Sequence, residues 1–210
     1  MSKIETAKHV FNKRAAEYAE KYMDVSAYQE ALDIFCKMPR LNAAVLEIAC
    51  GPGNITKCIL EKRPDIRLTG LDIAPNMVEL AKANNPSATF MEMDCRDVNE
   101  LSDPYEAVLC GFALPYLTET EAINFIGDAA NLLPNGGALY ISTMEGEPGT
   151  SGVQTSSYGD RVYVNYHQAG YLTDALNRVG FSVVHCQRID IPGENSGKIK
   201  DLIIVAELKR

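Results

Sequence analysis

An apolar run at residues 45–50 breaks into Gly51-Pro52-Gly53, and one acidic residue, Glu47, stands four positions before the first turn glycine. Glycines in such a turn let the backbone come close to a bound group. A second carboxylate, Asp72, ends the next apolar run, 19 residues after Gly53. A carboxylate at that place can accept from two neighbouring hydroxyls, the arrangement a ribose presents. Turn and acid together are nucleoside chemistry. A dinucleotide turn wants G-x-G-x-x-G, and the third glycine position is Thr56 here. Glu47 also disfavours a pyrophosphate and suits a ligand with cationic character. S-adenosylmethionine, with a sulfonium and an ammonium at one end, meets that description better than NAD.

Elements must exist to hold these groups. Strand-like runs fall at 44–49, 67–72, 88–93, 106–110, 137–143, 181–190 and 201–208, with helical patterns at 54–62, 75–83, 119–133 and 167–179 between most of them. The alternation predicts an α/β fold, a mostly parallel seven-stranded sheet covered by helices on both faces. The last two strands are separated only by "PGENSGKIK", which predicts a hairpin and one antiparallel strand at the sheet's end. Ile4, Ala7, Phe11, Ala15, Tyr18 and Tyr22 recur at helical spacing on one face, and a second helix places Tyr28, Ala31, Leu32 and Phe35 inward. Residues 1–40 are thus expected to form a helical cap on a core of 41–210. The Gly/Ser-rich stretch 145–165 is expected to be a long functional or mobile loop, with room for a homodimer contact.

Bulk properties narrow the partners. A hydrophobic content of 46% in 210 residues supports one well-packed domain. The net charge of -8 argues against a nucleic-acid partner. The six cysteines show no paired spacing, so neither a disulfide framework nor a metal site is expected. The charged N-terminus has no signal-like apolar stretch and no run suits a membrane span, which predicts a cytoplasmic protein.

Five segments in register, "VLEIACGPG", "LTGLDIAPNMVELAKAN", "FMEMDCRDV", "YEAVLCGFALPYL" and "LLPNGGALYIS", resemble the ordered motifs of class I S-adenosylmethionine-dependent methyltransferases. The chain is most similar to the small-molecule branch that includes ubiquinone/menaquinone-type enzymes. The resemblance implies a Rossmann-like fold, S-adenosylmethionine as cofactor, and methyl transfer to a small organic acceptor. Ala49 replaces the first glycine of the family's turn and is small enough to serve. Gly51 and Gly53 would approach the cofactor's amino-acid part. Glu47 would hold its amino group or, alternatively, the turn itself. Asp72 would take the ribose, with Ile73 and Met77 on the adenosine. Asp94 would accept from the adenine amino group beside Cys95, or be a turn acid only. Gly111 and Phe112 would line the sulfonium region. Arg14, Tyr18 and Tyr22 would close over the cofactor, or simply pack as core.

Methyl transfer needs a base only when the acceptor must lose a proton. His167 is the candidate base beside the 145–165 insertion, its alternative being a satisfied structural histidine. Tyr116, Tyr158, Tyr163 and Tyr166 could form an aromatic acceptor pocket. Where DNA amino-methylating relatives carry Asn/Asp-Pro-Pro-aromatic, this chain reads Gly111-Phe112-Ala113-Leu114. A small-molecule acceptor is therefore expected. The competing reading is a protein that binds the cofactor without turnover.

Overall fold

In the computed structural model, which describes residues 2–147, 149–156, 158–190 and 199–210, β-branched and aliphatic runs form the central sheet. Its strands are β1 (Ala44–Ile48), β2 (Arg67–Asp72), β3 (Thr89–Glu92), β4 (Ala107–Gly111), β5 (Ala138–Glu145), β8 (Phe181–Asp190) and β9 (Lys200–Leu208). The order across the sheet is β3-β2-β1-β4-β5-β9-β8. β9 pairs antiparallel with both β5 and β8, and the other neighbouring pairs are parallel. This is the expected Rossmann-like sheet with one antiparallel strand. The "PGENSGKIK" connection lies mostly outside the described residues, but the strands on either side of it pair as a hairpin would.

Helices α4 (Asn54–Lys62), α5 (Pro75–Asn84), α6 (Glu119–Leu132) and α7 (Ala169–Arg178) make the crossovers. Two apolar layers result. One packs Leu46, Ile48, Leu139 and Ile204 under α6 and α7. The other packs Val45, Leu109, Tyr140 and Ile203 under α4, α5 and the N-terminal helix α3 (Gln29–Cys36). Strands buried on both faces have no polar side, which is why they read as continuous apolar runs.

Two expectations change. The long N-terminal helix is two helices, α1 (Lys3–Lys13) and α2 (Ala15–Tyr22). Arg14 leaves helical geometry between them, at φ -106° and ψ 18°. Only α1 and α2 lie over the carboxyl edge of the sheet, whereas Leu32 and Phe35 of α3 are fully buried in the core. Tyr28 belongs to a 3₁₀ turn before α3, not to the helix. The 145–165 stretch is not simply a loop. It folds into a two-stranded antiparallel sheet, β6 (Gly152–Thr155) and β7 (Arg161–Val164). Val153, Val162, Tyr163 and Val164 have the β-propensity for it, obscured in the sequence by the surrounding Gly and Ser. Among the described residues no helix is long and apolar enough to cross a membrane.

Candidate cofactor and acceptor site

The carboxyl ends of β1, β2 and β4 open onto one largely apolar cavity that Asp72 and Asp94 border. Its floor is the turn after β1. Gly51 and Gly53 both sit at positive φ, 54° and 79°. A Cβ on Gly53 would run into Asn85 Nδ2 and crowd the Ala81 backbone at 3.3 Å, so packing adds to the positive φ in favouring glycine there. Two asparagines at the end of α5 clamp the turn: Asn84 Nδ2 donates to Pro52 O at 2.8 Å and Asn85 Nδ2 to Gly53 O at 2.9 Å. Asn54 Nδ2 ties the first turn of α4 to Tyr22 O of the cap at 2.8 Å. Of these three asparagines, Asn54 directly follows the turn and carries a readable local signal, whereas Asn84 and Asn85 reach it only through the fold.

Asp72 lies at the end of β2, 8% exposed. Its Oδ2 accepts from Gly51 N at 2.9 Å and its Oδ1 from Ala74 N at 2.8 Å. The carboxylate therefore joins two strand-end turns while facing the cavity. Each oxygen keeps a lone pair for a further donor. Burial raises its proton affinity and the backbone hydrogen bonds offset part of that rise. Ile73 and Met77 line the same wall.

Opposite them are Met93, Asp94 and Cys95. Asp94 is the cap of a 3₁₀ turn and is engaged by Arg96, whose Nη2 donates to Oδ2 at 2.6 Å. Burial pushes the Asp94 carboxyl upward, but the Arg96 hydrogen bonds win and hold it below its usual range. The turn-acid reading of Asp94 is thus realised at a position that still borders the cavity. Cys95 is a neutral thiol, since burial raises its pKa well above normal.

Gly111 and Phe112 close the far end. A Cβ on Gly111 would press within 2.9 Å of Ile55 Cδ1. Phe112 takes φ 54°, a strained angle for an aromatic residue, and its N–H donates to Ser142 O at 3.0 Å. Ala49 is also left-handed, at φ 55°, and lines the cavity. Strain of this kind gathers at functional sites.

Ile4, Ala7, Phe11 and Tyr18 of the cap form the roof. Phe11 stands edge-on to both Tyr18 and Tyr116, at centroid distances of 5.8 and 5.0 Å. Tyr22 packs at a tilt on Tyr18, ring centroids 4.6 Å apart, but is 43% exposed and outside the cavity. Arg14 also does not face it. Its Nε donates to Asp160 Oδ2 at 2.7 Å and its Nη1 to Glu17, and its guanidinium lies over Tyr158, 4.9 Å from the centroid. Lys13 pairs with the same Asp160, and Lys3 sits over Tyr163. The β6–β7 hairpin therefore latches the cap through Asp160, Tyr158 and Tyr163.

Glu47 is wholly buried beneath the turn and does not line the cavity. Thr56 Oγ1 donates to its Oε2 in a short hydrogen bond, while Oε1 has no partner among the described residues. Burial raises its pKa to about 8, with Asp72 adding to the rise and Thr56 opposing it. A mostly neutral carboxyl under the floor supports the turn and is poorly suited to holding an ammonium group.

His167 is 2% exposed and absent from the cavity wall. Its Nδ1 bonds the Tyr171 hydroxyl and its Nε2 meets Leu114 O at 2.7 Å. Burial lowers its pKa. With both ring nitrogens engaged, His167 anchors the start of α7 to the loop after β4 and has no free lone pair for a base. Tyr116 lines the cavity, whereas Tyr158 and Tyr163 belong to the hairpin latch. Tyr166 sits after β7, its N–H donating to Ser151 Oγ at 2.9 Å.

Residues 45–137 match the family model described as "Methyltransferase domain". The chain is 30% identical over 101 residues to the malonyl-[acyl-carrier protein] O-methyltransferase of Acetivibrio thermocellus, covering 47% of this chain and 35% of that protein. It is 27% identical over 128 residues to the trans-aconitate 2-methyltransferase of Methylobacterium nodulans, covering 60% and 48%. The matched region thus spans less than half of either relative. Among solved structures, the DhpI–SAH complex superposes with a TM-score of 0.70 at 18% identity, over 99% of this chain and 97% of that one. The [4+2]-cyclase SpnF superposes with a TM-score of 0.65 at 14% identity, over 86% and 80%.

Proposed function

We propose, from the premise that this chain carries a methyltransferase domain and has the class I S-adenosylmethionine-dependent methyltransferase fold, that it binds S-adenosylmethionine and transfers its methyl group to a small organic acceptor. The observation that carries this reading is Asp72. It is a carboxylate bonded to the Gly51 turn and open to a cavity whose other walls are largely apolar. A ribose offers two donors to such a group. Ile73 and Met77 suit a flat base, and Asp94 with Cys95 borders where its amino group would lie.

When bound, the cofactor supplies an activated methyl group with a neutral leaving thioether. The chain's own part is then to orient and to exclude water. The glycine turn brings backbone close to the amino-acid end. Phe112 and Gly111 shape the region beside the transferable methyl. Phe11, Tyr18 and Tyr116 roof it, and the Arg14–Asp160 latch keeps that roof down. The relatives named for malonyl-[acyl-carrier protein] and trans-aconitate support an acceptor that is an organic small molecule or is carried as one.

A second reading, binding without methyl transfer, gains support from the cyclase neighbour, which has this fold and is named for a different reaction. Calorimetry with S-adenosylmethionine, followed by methyl-labelled cofactor and a fractionated cell extract, separates the readings. Binding with label passing to a small-molecule fraction supports the enzyme. Binding with unlabelled fractions supports the second reading, and an absence of binding refutes both.

A further inference from the structure

The Asp94 wall of the cavity is held by a series of side chains that reaches back to another element. Asp94 borders the cavity, and its side chain is 14% exposed. As the cap of a short 3₁₀ turn it needs one backbone donor, and Arg96 N supplies that to Oδ1 at 3.0 Å. The Arg96 side chain then adds contacts that the turn does not require. Its Nη2 donates to Oδ2 at 2.6 Å, and Nε divides its one proton between Oδ1 at 3.1 Å and Oδ2 at 3.2 Å. A planar fork of this kind fixes the plane of a carboxylate as well as its position. Arg96 itself does not line the cavity.

The fork is braced from α6. Arg96 Nη1 donates to Glu121 Oε1 at 3.4 Å. Glu121 is held in turn, because its Oε2 accepts from Thr118 N at 2.8 Å and from Thr118 Oγ1 at 2.7 Å in the capping box that starts α6. Thr118, Glu121, Arg96 and Asp94 thus run in series from a helix start to the cavity wall. Exposed ion pairs contribute little stability singly, and the Arg96 and Glu121 side chains are 38% and 34% exposed. The main consequence of the series is therefore geometric.

That geometry leaves something for a ligand. Because Nε shares its proton, Oδ2 keeps acceptor capacity. Burial raises the Asp94 pKa, but Arg96, with the Cys95 thiol also donating, brings it below the usual range. An ionised carboxylate accepts and cannot donate. It satisfies an amino group on a base, whereas an oxo group in the same place would set lone pair against lone pair.

We propose that Arg96, braced by Glu121, is a positioning residue that fixes Asp94 as a permanent acceptor on the cavity wall, so that the site takes a purine with an exocyclic amino group and rejects the oxo purine of the same shape. This rests on the reading above that the cavity takes S-adenosylmethionine. Asp94 touches the base, and Arg96 acts only through Asp94.

The test is calorimetric titration with S-adenosylhomocysteine and with S-inosylhomocysteine, in which an oxo group replaces the exocyclic amino group. The wild-type protein should prefer the amino form by roughly 100-fold or more, since a site built for a donor rejects the analogue lacking it. In Arg96→Gln the carboxylate can turn and take up a proton, so that preference should shrink by roughly tenfold, the size of one charge-assisted hydrogen bond. Arg96→Lys keeps the charge without the fork, and its preference should fall by a smaller factor; it carries the test if Arg96→Gln does not fold. A merely structural role would weaken both ligands equally and leave their ratio as it was. A ratio unchanged in either variant, or a wild-type protein that binds the two ligands equally, would overturn the proposal. Failure of the wild-type protein to bind either ligand would instead refute the S-adenosylmethionine reading itself.

Discussion

The two halves of the sheet's carboxyl edge are built differently. Under β2, β1 and β4 the site is made of backbone: left-handed Ala49, Gly51, Gly53 and Phe112, with Asp72 on the Gly51 amide, Asn84 on the Pro52 carbonyl, Asn85 on the Gly53 carbonyl and Ser142 on the Phe112 amide. Under β5, β9 and β8 it is made of side chains: the Tyr28–Asp201 hydrogen bond and the Arg188–Glu145 pair. A backbone-built site tolerates little variation, because few residues adopt positive φ and fewer leave room for a close approach. A side-chain site can change with a single substitution while the strands stay in place. The first half suits a ligand common to many proteins, and the second suits whatever this chain alone must recognise.

The largest test of that contrast is Asp72→Ala. It removes the carboxylate proposed to accept from the ribose hydroxyls and also releases the Gly51 and Ala74 amides. Hydrogen bonds to a charged group contribute about 1.5–3 kcal/mol each, so cofactor affinity should fall by roughly 100-fold or more. Calorimetry checks it, and an affinity within a few-fold of wild type would remove the basis of the cofactor half. The same measurement on Asp201→Asn should show no change, which is what makes the halves distinct.

Glu47→Gln is the next in size and concerns the support beneath the floor. Burial raises the Glu47 pKa from an ordinary 4.5 to about 8. Between those values the unfolded chain releases a proton that the folded chain keeps. Stability from this group is therefore full below pH 4.5, falls by about 1.4 kcal/mol per pH unit as pH rises, and is lost by about pH 8. Asp72 and Asp201, whose pKa values are also raised by burial, add slope of the same sign. Glu47→Gln should flatten the decline measured by urea denaturation between pH 5 and 8 by roughly one proton's worth. The amide inherits the same unpartnered position at Oε1, so the slope is diagnostic and the absolute stability is not. An unchanged slope would mean that Glu47 is ionised in the fold, and would return it to the cofactor's ammonium group as a candidate partner.

The same contrast explains what was legible in the sequence. The elements around the first half stood out because their signals are local. An apolar run, a glycine pair and a strand-end acid are each local signals, and the strand at 67–72 is bounded correctly from them. The second half depends on contacts between residues far apart in the chain. Tyr28 and Asp201 are separated by 173 positions, and no periodicity links a tyrosine before a helix to an acid at a strand's start. His167 illustrates the reverse problem. Its sequence neighbourhood beside the insertion suggested a base, but the loop after β4 and the first turn of α7 converge on it and occupy both nitrogens. Arg14 and Tyr22 lay on the predicted helix face, and the break at Arg14 turned them outward. The hairpin at 152–164 was hidden because glycine and serine flank strands of only four residues.

The smallest effect is expected at Ala49, and it tests whether the first half really is backbone-built. At φ 55° an alanine carries left-handed strain of about 1 kcal/mol. Glycine relieves that strain but gives the unfolded chain more freedom, at about 0.5–1 kcal/mol. Ala49→Gly should therefore change stability by less than about 1 kcal/mol, toward greater stability if at all, and leave cofactor affinity within threefold. Ala49→Val supplies the opposite arm. A β-branched side chain at positive φ is a true outlier, and here it would also project into the cavity that Ala49 lines. Urea denaturation should show Ala49→Val destabilised by more than 1 kcal/mol, with cofactor affinity reduced alongside. Equal behaviour of the glycine and valine variants would mean that the turn re-forms around its side chains. The division between a backbone-built half and a side-chain-built half would then fail at its first residue.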